Sequence, residues 1–301
     1  MRQLAATGAV VFGVAVSHAA IAQDFDNARV VTETVGDGLH VFFGQGEGII
    51  AGNMLVSIGS SGVLLVDDQV PGIAPKYQAA ISAAGGGEID FVINTHWHFD
   101  HADGNQLLGN EGVWFVAHEN SRRMMMRDNE INLVNQVIEQ PAYPAHALPV
   151  ATYDDSMRMH FNGERIDLLH FGPAHTTGDT AVLFRDRNLV HLGDVFNTSG
   201  YPFIDADNGG SLDGVIAFCE GVLAELAPGA VVVPGHGAVS DYDGLAAYIA
   251  MLRAIRDRIS ALIESGASLE QVIAARPTSD WDATRGDPGM LINRAYASMT
   301  R

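Results

Sequence analysis

From about residue 30 to 66 the chain alternates short β-prone runs with glycine-rich turns: "RVVTETV", "LHVFFG", "NMLVSIG" and "GVLLVDD". The connector "GQGEGIIAG" is dense in glycine and reads as a hairpin tip, with Gln45 to Gly48 placed to close over a site. The period then changes. "GIAPKYQAAISAAGG" predicts a helix ended by glycines, and "IDFVINT" predicts a buried strand. "VWFVAH" predicts another strand, and "SRRMMMRDNEINLVNQVIEQ" a helical segment in which Met124, Met125 and Met126 serve packing.

Four further strands are predicted at "SMRMHF", "RIDLLHF", "TAVLFRD" and "NLVHLGD". The helix "SLDGVIAFCEGVLAEL" and the buried strand "AVVVPG" follow them. A long amphipathic helix runs from Tyr242 to about Ser265, and a shorter one lies near Leu269 to Ala275. No repeat, low-complexity tract or linker interrupts this order. It predicts an α/β protein: two packed sheets with helices outside, in a single domain over 23–301 whose C-terminal helical extension covers about 241–301.

The first residues read differently. Arg2, the apolar run Leu4 to Val16 and the small-x-small end Ala20-Ile21-Ala22 predict a signal peptide over 1–22, cleaved after Ala22 to leave Gln23 first. The run is shorter than the roughly 20 residues a bilayer span needs. The expectation is a periplasmic protein without a membrane anchor after cleavage.

Composition narrows the partners. Among 301 residues, 17 are basic and 36 acidic, a formal net charge of −19, and Lys76 is the single lysine. Such a surface repels phosphate backbones, so no nucleic-acid partner is expected and a small-molecule substrate is. Cys219 is the single cysteine, which excludes an intrachain disulfide and a cysteine-rich zinc site. Its helical context predicts a buried, inert thiol. Oligomeric state is not legible at this level.

The chemistry concentrates in "INTHWHFDHADGN", Ile93 to Asn105. His96, His98, Asp100 and His101 supply imidazole and carboxylate donors just past a buried strand, where loop residues converge. Later candidates also follow β-runs: His175 in "GPAHTTGDT", Asp194 at the end of "NLVHLGD" and His236 after "AVVVPG". A lone histidine in such a place is usually structural; the conjunction points to a metal site. His40, His118, His146, His160, His170 and His191 lack ligand spacing and read as structural or surface residues, and Trp97 as packing.

The order Asp, His-x-His-x-Asp-His, His, Asp, His resembles the metallo-β-lactamase superfamily, from Asp67 to His236. The resemblance implies an αββα sandwich of two mixed sheets with the metals at one edge. It further implies one ion on His96, His98 and His175, a second on Asp100, His101 and His236, Asp194 bridging them, and Asp67 supporting the ligands. In relatives with di-iron redox sites an acidic residue stands at the position of His98, so two Zn2+ per chain are favoured. The implied reaction is hydrolysis by a metal-bridging hydroxide, with Asp100 orienting it and handling the proton.

The motif leaves the substrate open among β-lactams, thioesters, lactones, sulfate esters and phosphodiesters. Export favours β-lactam ring opening. Against a dedicated β-lactamase, this chain has Asp194 where one group of zinc β-lactamases uses cysteine, and it lacks their anchoring lysine; its ligand set is closer to the glyoxalase II pattern. Another ester, lactone or thioester is the alternative, and a non-catalytic metal-binding accessory protein the third reading. Asn197 and Tyr201, in "FNTSGYPFID", are candidates to reach a substrate oxygen.

Overall fold

The computed structural model describes residues 25–301, so the expected leader and its cleavage site lie outside the described residues. Strands β1 (Arg29–Gly36), β2 (Leu39–Gln45), β3 (Met54–Gly59) and β4 (Gly62–Val66) form an antiparallel meander. Helix α1 (Ala74–Ala83) then leads to β5 (Ile89–Ile93), which pairs parallel to β4. Beyond the one-turn helices α2 (Phe99–Ala102) and α3 (Asn105–Leu108), β6 (Trp114–His118) adds in parallel.

Helix α4 (Glu119–Met125) is followed by β7 (Asn129–Asn132) and β8 (Val137–Gln140), and β9 (Ala151–Tyr153) completes a seven-stranded sheet ordered β1-β2-β3-β4-β5-β6-β9. The second sheet has six strands: β10 (Ser156–Phe161), β11 (Glu164–Leu169), β12 (Ala181–Phe184), β13 (Leu189–His191), β14 (Val231–Val233) and β15 (Ser240–Asp241). Helix α5 (Leu212–Glu225) connects β13 to its parallel neighbour β14. Helices α6 (Tyr242–Glu264), α7 (Leu269–Ala275), α8 (Asp282–Arg285) and α9 (Gly289–Met299) end the chain.

Both sheets are mixed, and their central strands are buried on two faces, which is why β3, β4, β12 and β13 read as nearly continuous apolar runs. Successive residues of β4 show the layering. Leu64 and Val66 face the second sheet, among Ile166, Leu168, Val182 and Phe184. Val63 and Leu65 face outward, against Tyr77 and Ile81 of α1. In the second sheet Val182 and Phe184 point inward, whereas Leu183 packs with α5, α6 and α9 through Phe218, Leu252 and Ile292. The order of layers is therefore helix, sheet, sheet, helix, as expected. The C-terminal helices belong to the outer layer of the second sheet. Among the described residues no helix is long and apolar enough to cross a membrane.

One predicted element is corrected. The segment Ser121–Gln140 is not helical throughout: α4 stops at Met125, and β7 and β8 form a separate hairpin pairing Asn129 with Gln140. Asn129 causes the break, because its Nδ2 donates to the carbonyls of Met124 and Arg127, both at 2.8 Å. A side chain that satisfies terminal carbonyls competes with helix continuation. The hairpin then buries Ile131 and Ile138 beside Trp97 and Met125.

Candidate metal centre

The site residues lie in the loops and short helical turns that follow core strands. Strand β5 ends at Ile93, and the chain turns through Thr95 and His96 into α2, with His98 extended at its N-cap and Asp100 and His101 in its single turn. Strand β11 leads to His175, β13 to Asp194 and β14 to His236. The two sheets thus deliver their ligands to a shared edge, and β13 and β14 are parallel neighbours.

All seven predicted ligands come together. Three groups have donor atoms within 4.8 Å of one another: His96, His98 and His175; His96, His101 and Asp194; Asp100, His101 and His236. The first and third coincide with the two ligand sets that the resemblance implied. Asp194 lies between them, its Oδ2 at 3.8 Å from His175 Nε2 and its Oδ1 at 3.1 Å from His101 Nε2 and 3.4 Å from His236 Nε2. One carboxylate oxygen faces each group.

Hydrogen bonds on the outer side of each ring decide what the inner side offers. His101 Nδ1 donates to Asp67 Oδ2 at 2.7 Å, His98 Nε2 to Asp205 Oδ2 at 3.0 Å, and His175 Nδ1 to the carbonyl of Phe203 at 2.9 Å. Thr95 spends its hydroxyl proton on Asp67 Oδ2 at 2.8 Å, so its oxygen accepts from His96 Nδ1 at 3.0 Å. In the neutral ring these partners take the outer proton, so the inward nitrogen of each is the one that can bind a cation.

The inward contacts suit a site that holds cations between them. His98 Nδ1 and His175 Nε2 approach to 2.9 Å, and His101 Nε2 and His236 Nε2 to 3.3 Å. His96 Nε2 is buried without a hydrogen-bond partner. Facing lone pairs repel, and an unpaired buried acceptor is costly. Five imidazoles and two carboxylates are a donor set that could hold metal ions, and the outer partners are those that orient metal ligands.

Electrostatics divide the cluster. Burial depresses the basicity of His96, and the neighbouring rings of His101, His175 and His98 reinforce it; His175 is lowered by burial and by His98. Both rings are therefore held neutral, as a metal requires. Burial opposes charge on His101 and His236 too, but Asp194 and Asp100 outweigh it, raising His101 well above its ordinary value and His236 to about 10. Burial would raise both carboxylates; the facing imidazoles instead lower Asp100, and lower Asp194 further. The acidic half of the cluster attracts positive charge.

Local backbone serves this packing. Asp67 adopts a left-handed φ of 63°, at a cost of about 1–2 kcal/mol, and its carboxylate also accepts from the Thr95 N–H at 2.7 Å. Gly193, with φ 51°, brings its backbone against the Thr95 side chain, and a Cβ there would collide with it. Gly52 lies on the His101 ring in the same way, its N–H donating to Asp100 O at 2.9 Å.

Beside the cluster is a cavity of about 190 Å3, lined by Ile50, Ile131, Leu133, Ile138, Phe203 and Met290 together with His98, Asp100, Asp194 and His236. Asn197 and Tyr201 line it as well. The Tyr201 hydroxyl, however, points away: it donates toward Thr278 O at 3.1 Å and Asp282 Oδ1 at 3.0 Å, so it ties the loop to the C-terminal region. Asn197 Oδ1 accepts from Ser199 N–H at 2.8 Å and Ser199 Oγ at 2.9 Å. Of the predicted tip, Ile50 rather than Gln45 to Gly48 reaches the cavity.

Sequence reasoning passed over Asp205, Phe203 and Met290. Asp205 is buried and carries no motif spacing; its distance of 107 positions from His98 hides the pair. His191 is structural as expected, its Nε2 donating to Asn53 O at 3.1 Å.

The arrangement of two mixed sheets, outer helices and a strand-end His/Asp centre defines a class. A model of the metallo-β-lactamase superfamily matches residues 49–243, more than half of the chain, and the chain belongs to that superfamily, whose members are mostly metal-dependent hydrolases. A metallo-β-lactamase from Pontibacter korlensis superposes with a TM-score of 0.60 at 16% identity, covering 75% of this chain and 99% of that one. The DIM-1 metallo-β-lactamase gives a TM-score of 0.58 at 17% identity, covering 75% and 97%. At such identities the likeness establishes the fold. In sequence, the chain is 25% identical over 150 residues to the 2,4-dinitroanisole O-demethylase subunit alpha of Nocardioides sp. (strain JS1661). That match covers 48% of this chain and 42% of the relative.

Proposed function

We propose that this protein is a dinuclear zinc hydrolase that cleaves an acyl bond in a small molecule. The supporting observation is the set of inward lone pairs on His96, His98, His101 and His175, each fixed by a partner on its outer side. Bound zinc ions supply Lewis acidity and lower the pKa of water toward neutrality.

The chain's own groups do the rest. Asp100 Oδ2 lies 3.1 Å from His236 Nε2 and 3.7 Å from His101 Nε2, at the mouth of the cavity. It accepts a proton from the attacking water as the new carbon–oxygen bond forms. The acyl bond to the leaving atom then breaks, and the same proton passes to that atom. Asp194 and the histidines hold the reacting edge in place, and the apolar wall excludes bulk water.

The fold neighbours named as metallo-β-lactamases support β-lactam ring opening as one activity of this site. Carboxylic ester or lactone hydrolysis is the second reading, favoured by the apolar lining. The demethylase relative adds aryl methyl ether cleavage to what should be assayed. Export with cleavage after Ala22, and action in the periplasm on a small molecule without nucleic-acid or membrane partners, complete the proposal; the −19 charge supports the exclusion of nucleic acid.

The deciding experiment loads the purified protein with zinc, measures metal per chain, and assays nitrocefin, phenyl butyrate, γ-nonalactone, a thioester and 2,4-dinitroanisole. Turnover that disappears on chelation and returns with zinc supports the hydrolase. Two bound zinc ions with no turnover of any substrate would instead support a metal-binding accessory protein.

A further inference from the structure

The cavity wall has a chemical bias that the metal ligands do not set. Ile131, Leu133 and Ile138 come from the β7–β8 hairpin, Phe203 from the loop before α5, Met290 from α9 and Ile50 from the β2–β3 connector. Four separate parts of the chain thus present apolar groups to one space, and the charged groups facing it are the acids and imidazoles of the metal centre. Among the described residues no lysine or arginine lines it.

The nearby cations are committed elsewhere. Arg285 donates to the carbonyls of Asn197 at 3.0 Å and Gly200 at 3.2 Å, behind the lining, and its guanidinium lies over the Tyr248 ring at 5.7 Å. Arg294 of α9 donates to Asp207 Oδ2 at 2.6 Å. A substrate carboxylate or phosphate remote from the scissile bond would therefore be desolvated against isoleucine, leucine and methionine without a counter-charge, which is unfavourable.

We infer that this site selects uncharged substrates with an apolar acyl or aryl group and discriminates against substrates carrying an anionic group away from the reacting bond. The inference rests on the hydrolase reading for its chemistry, but its selectivity resides in the wall. The volume of about 190 Å3 restricts the apolar group to small size, below the roughly 300–1,000 Å3 of sites that take drug-sized ligands. Within the proposed activities it favours neutral esters and lactones over β-lactams, which carry a ring carboxylate.

The test uses the full zinc-loaded chain and a binding readout that is independent of turnover. Calorimetric titration with 2-acetylnaphthalene and with naphthalene-2-sulfonate, a weak zinc ligand, compares two apolar groups of similar shape that differ in charge. The neutral probe is expected to bind at least about tenfold more tightly, and the ratio is expected to fall at least about tenfold in Leu133→Arg. Met290→Lys, on a different element, serves the same purpose should the hairpin variant misfold. Equal affinities, or tighter sulfonate binding, would overturn the inference.

Turnover separates the two claims. Phenyl butyrate is expected to exceed 4-(butyryloxy)benzoate by at least about tenfold in kcat/KM, and a preference for the carboxylate ester would overturn the selectivity while leaving the hydrolase standing. Cleavage of neither ester removes the ester reading alone, and the calorimetric ratio then decides the wall's selectivity by itself.

Discussion

His98 Nδ1 and His175 Nε2 stand 2.9 Å apart, although the outer nitrogen of each already gives its proton to a fixed acceptor, Asp205 for one and Phe203 O for the other. A cation between two lone pairs held this close would relieve their repulsion. Removing metal with a chelator should therefore lower the melting temperature, and zinc should restore it. Asp205→Ala frees the His98 ring and should weaken zinc binding by about 10–100-fold in a chelator competition; unchanged affinity would deny Asp205 its orienting role.

Asp100 separates binding from chemistry. In Asp100→Asn the residue keeps its shape beside His236, 3.1 Å away, but loses its basicity. Zinc content measured by mass spectrometry should stay largely intact, while kcat falls by about 10²–10⁴-fold. A variant with wild-type rates would place the proton transfer elsewhere.

Asp67 touches no substrate, yet it accepts from Thr95 N–H, Thr95 Oγ1 and His101 Nδ1 at 2.7–2.8 Å. Asp67→Ala leaves these buried donors without an acceptor and is expected to cost about 3–5 kcal/mol in urea unfolding. It should also lower occupancy of the His101 ion more than that of the His175 ion. Loss of stability with both ions retained would show that Asp67 acts on the fold alone.

The next prediction concerns pH. Burial raises Asp103 from 3.8 to about 6, against the hydrogen bonds from Tyr143 and Gln106 that favour its charged form. Between these values the folded state binds more protons than the unfolded chain. The contribution of Asp103 to stability is therefore full below pH 3.8 and is lost as pH rises through about 6. It amounts to about 2–3 kcal/mol. Asp103→Asn should flatten the decline in urea midpoint across that window; an unaltered slope would assign the decline to other groups.

Cys219 is buried against α6 and β13, with Sγ 3.6 Å from the Val195 carbonyl, and burial pushes its thiol far up. Cys219→Ser should lower stability by about 1 kcal/mol, leave zinc content and kcat/KM within about twofold, and native wild-type protein should resist thiol reagents. Abolished activity in the serine variant would mean that the thiol takes part in the site.

Much of the centre was legible without coordinates because its ligands sit where strands end. A buried parallel strand announces itself as an apolar run, and the residue that follows must emerge at the sheet edge; His96, Asp194 and His236 could be placed on that ground. The αββα layering followed likewise from two blocks of strands, each trailed by helices. The break at Asn129 was not legible, since the periodicity of "MMMRDNEINLVNQVIEQ" suits either structure locally and the decision came from a side chain capping α4.

What the chain order by itself determined was the inventory: seven candidate ligands, each attached to a core strand or its adjoining turn, and hence the class of fold. Tertiary structure decided how those ligands are used. Asp205 on His98, the Phe203 carbonyl on His175 and Met290 on the cavity wall are contacts between segments remote in sequence. They leave no periodic trace, because an outer partner needs only one acceptor at the right point in space. Ring tautomer, inward lone pair and cavity polarity all depend on such single contacts, so they appear only when the sheets have packed.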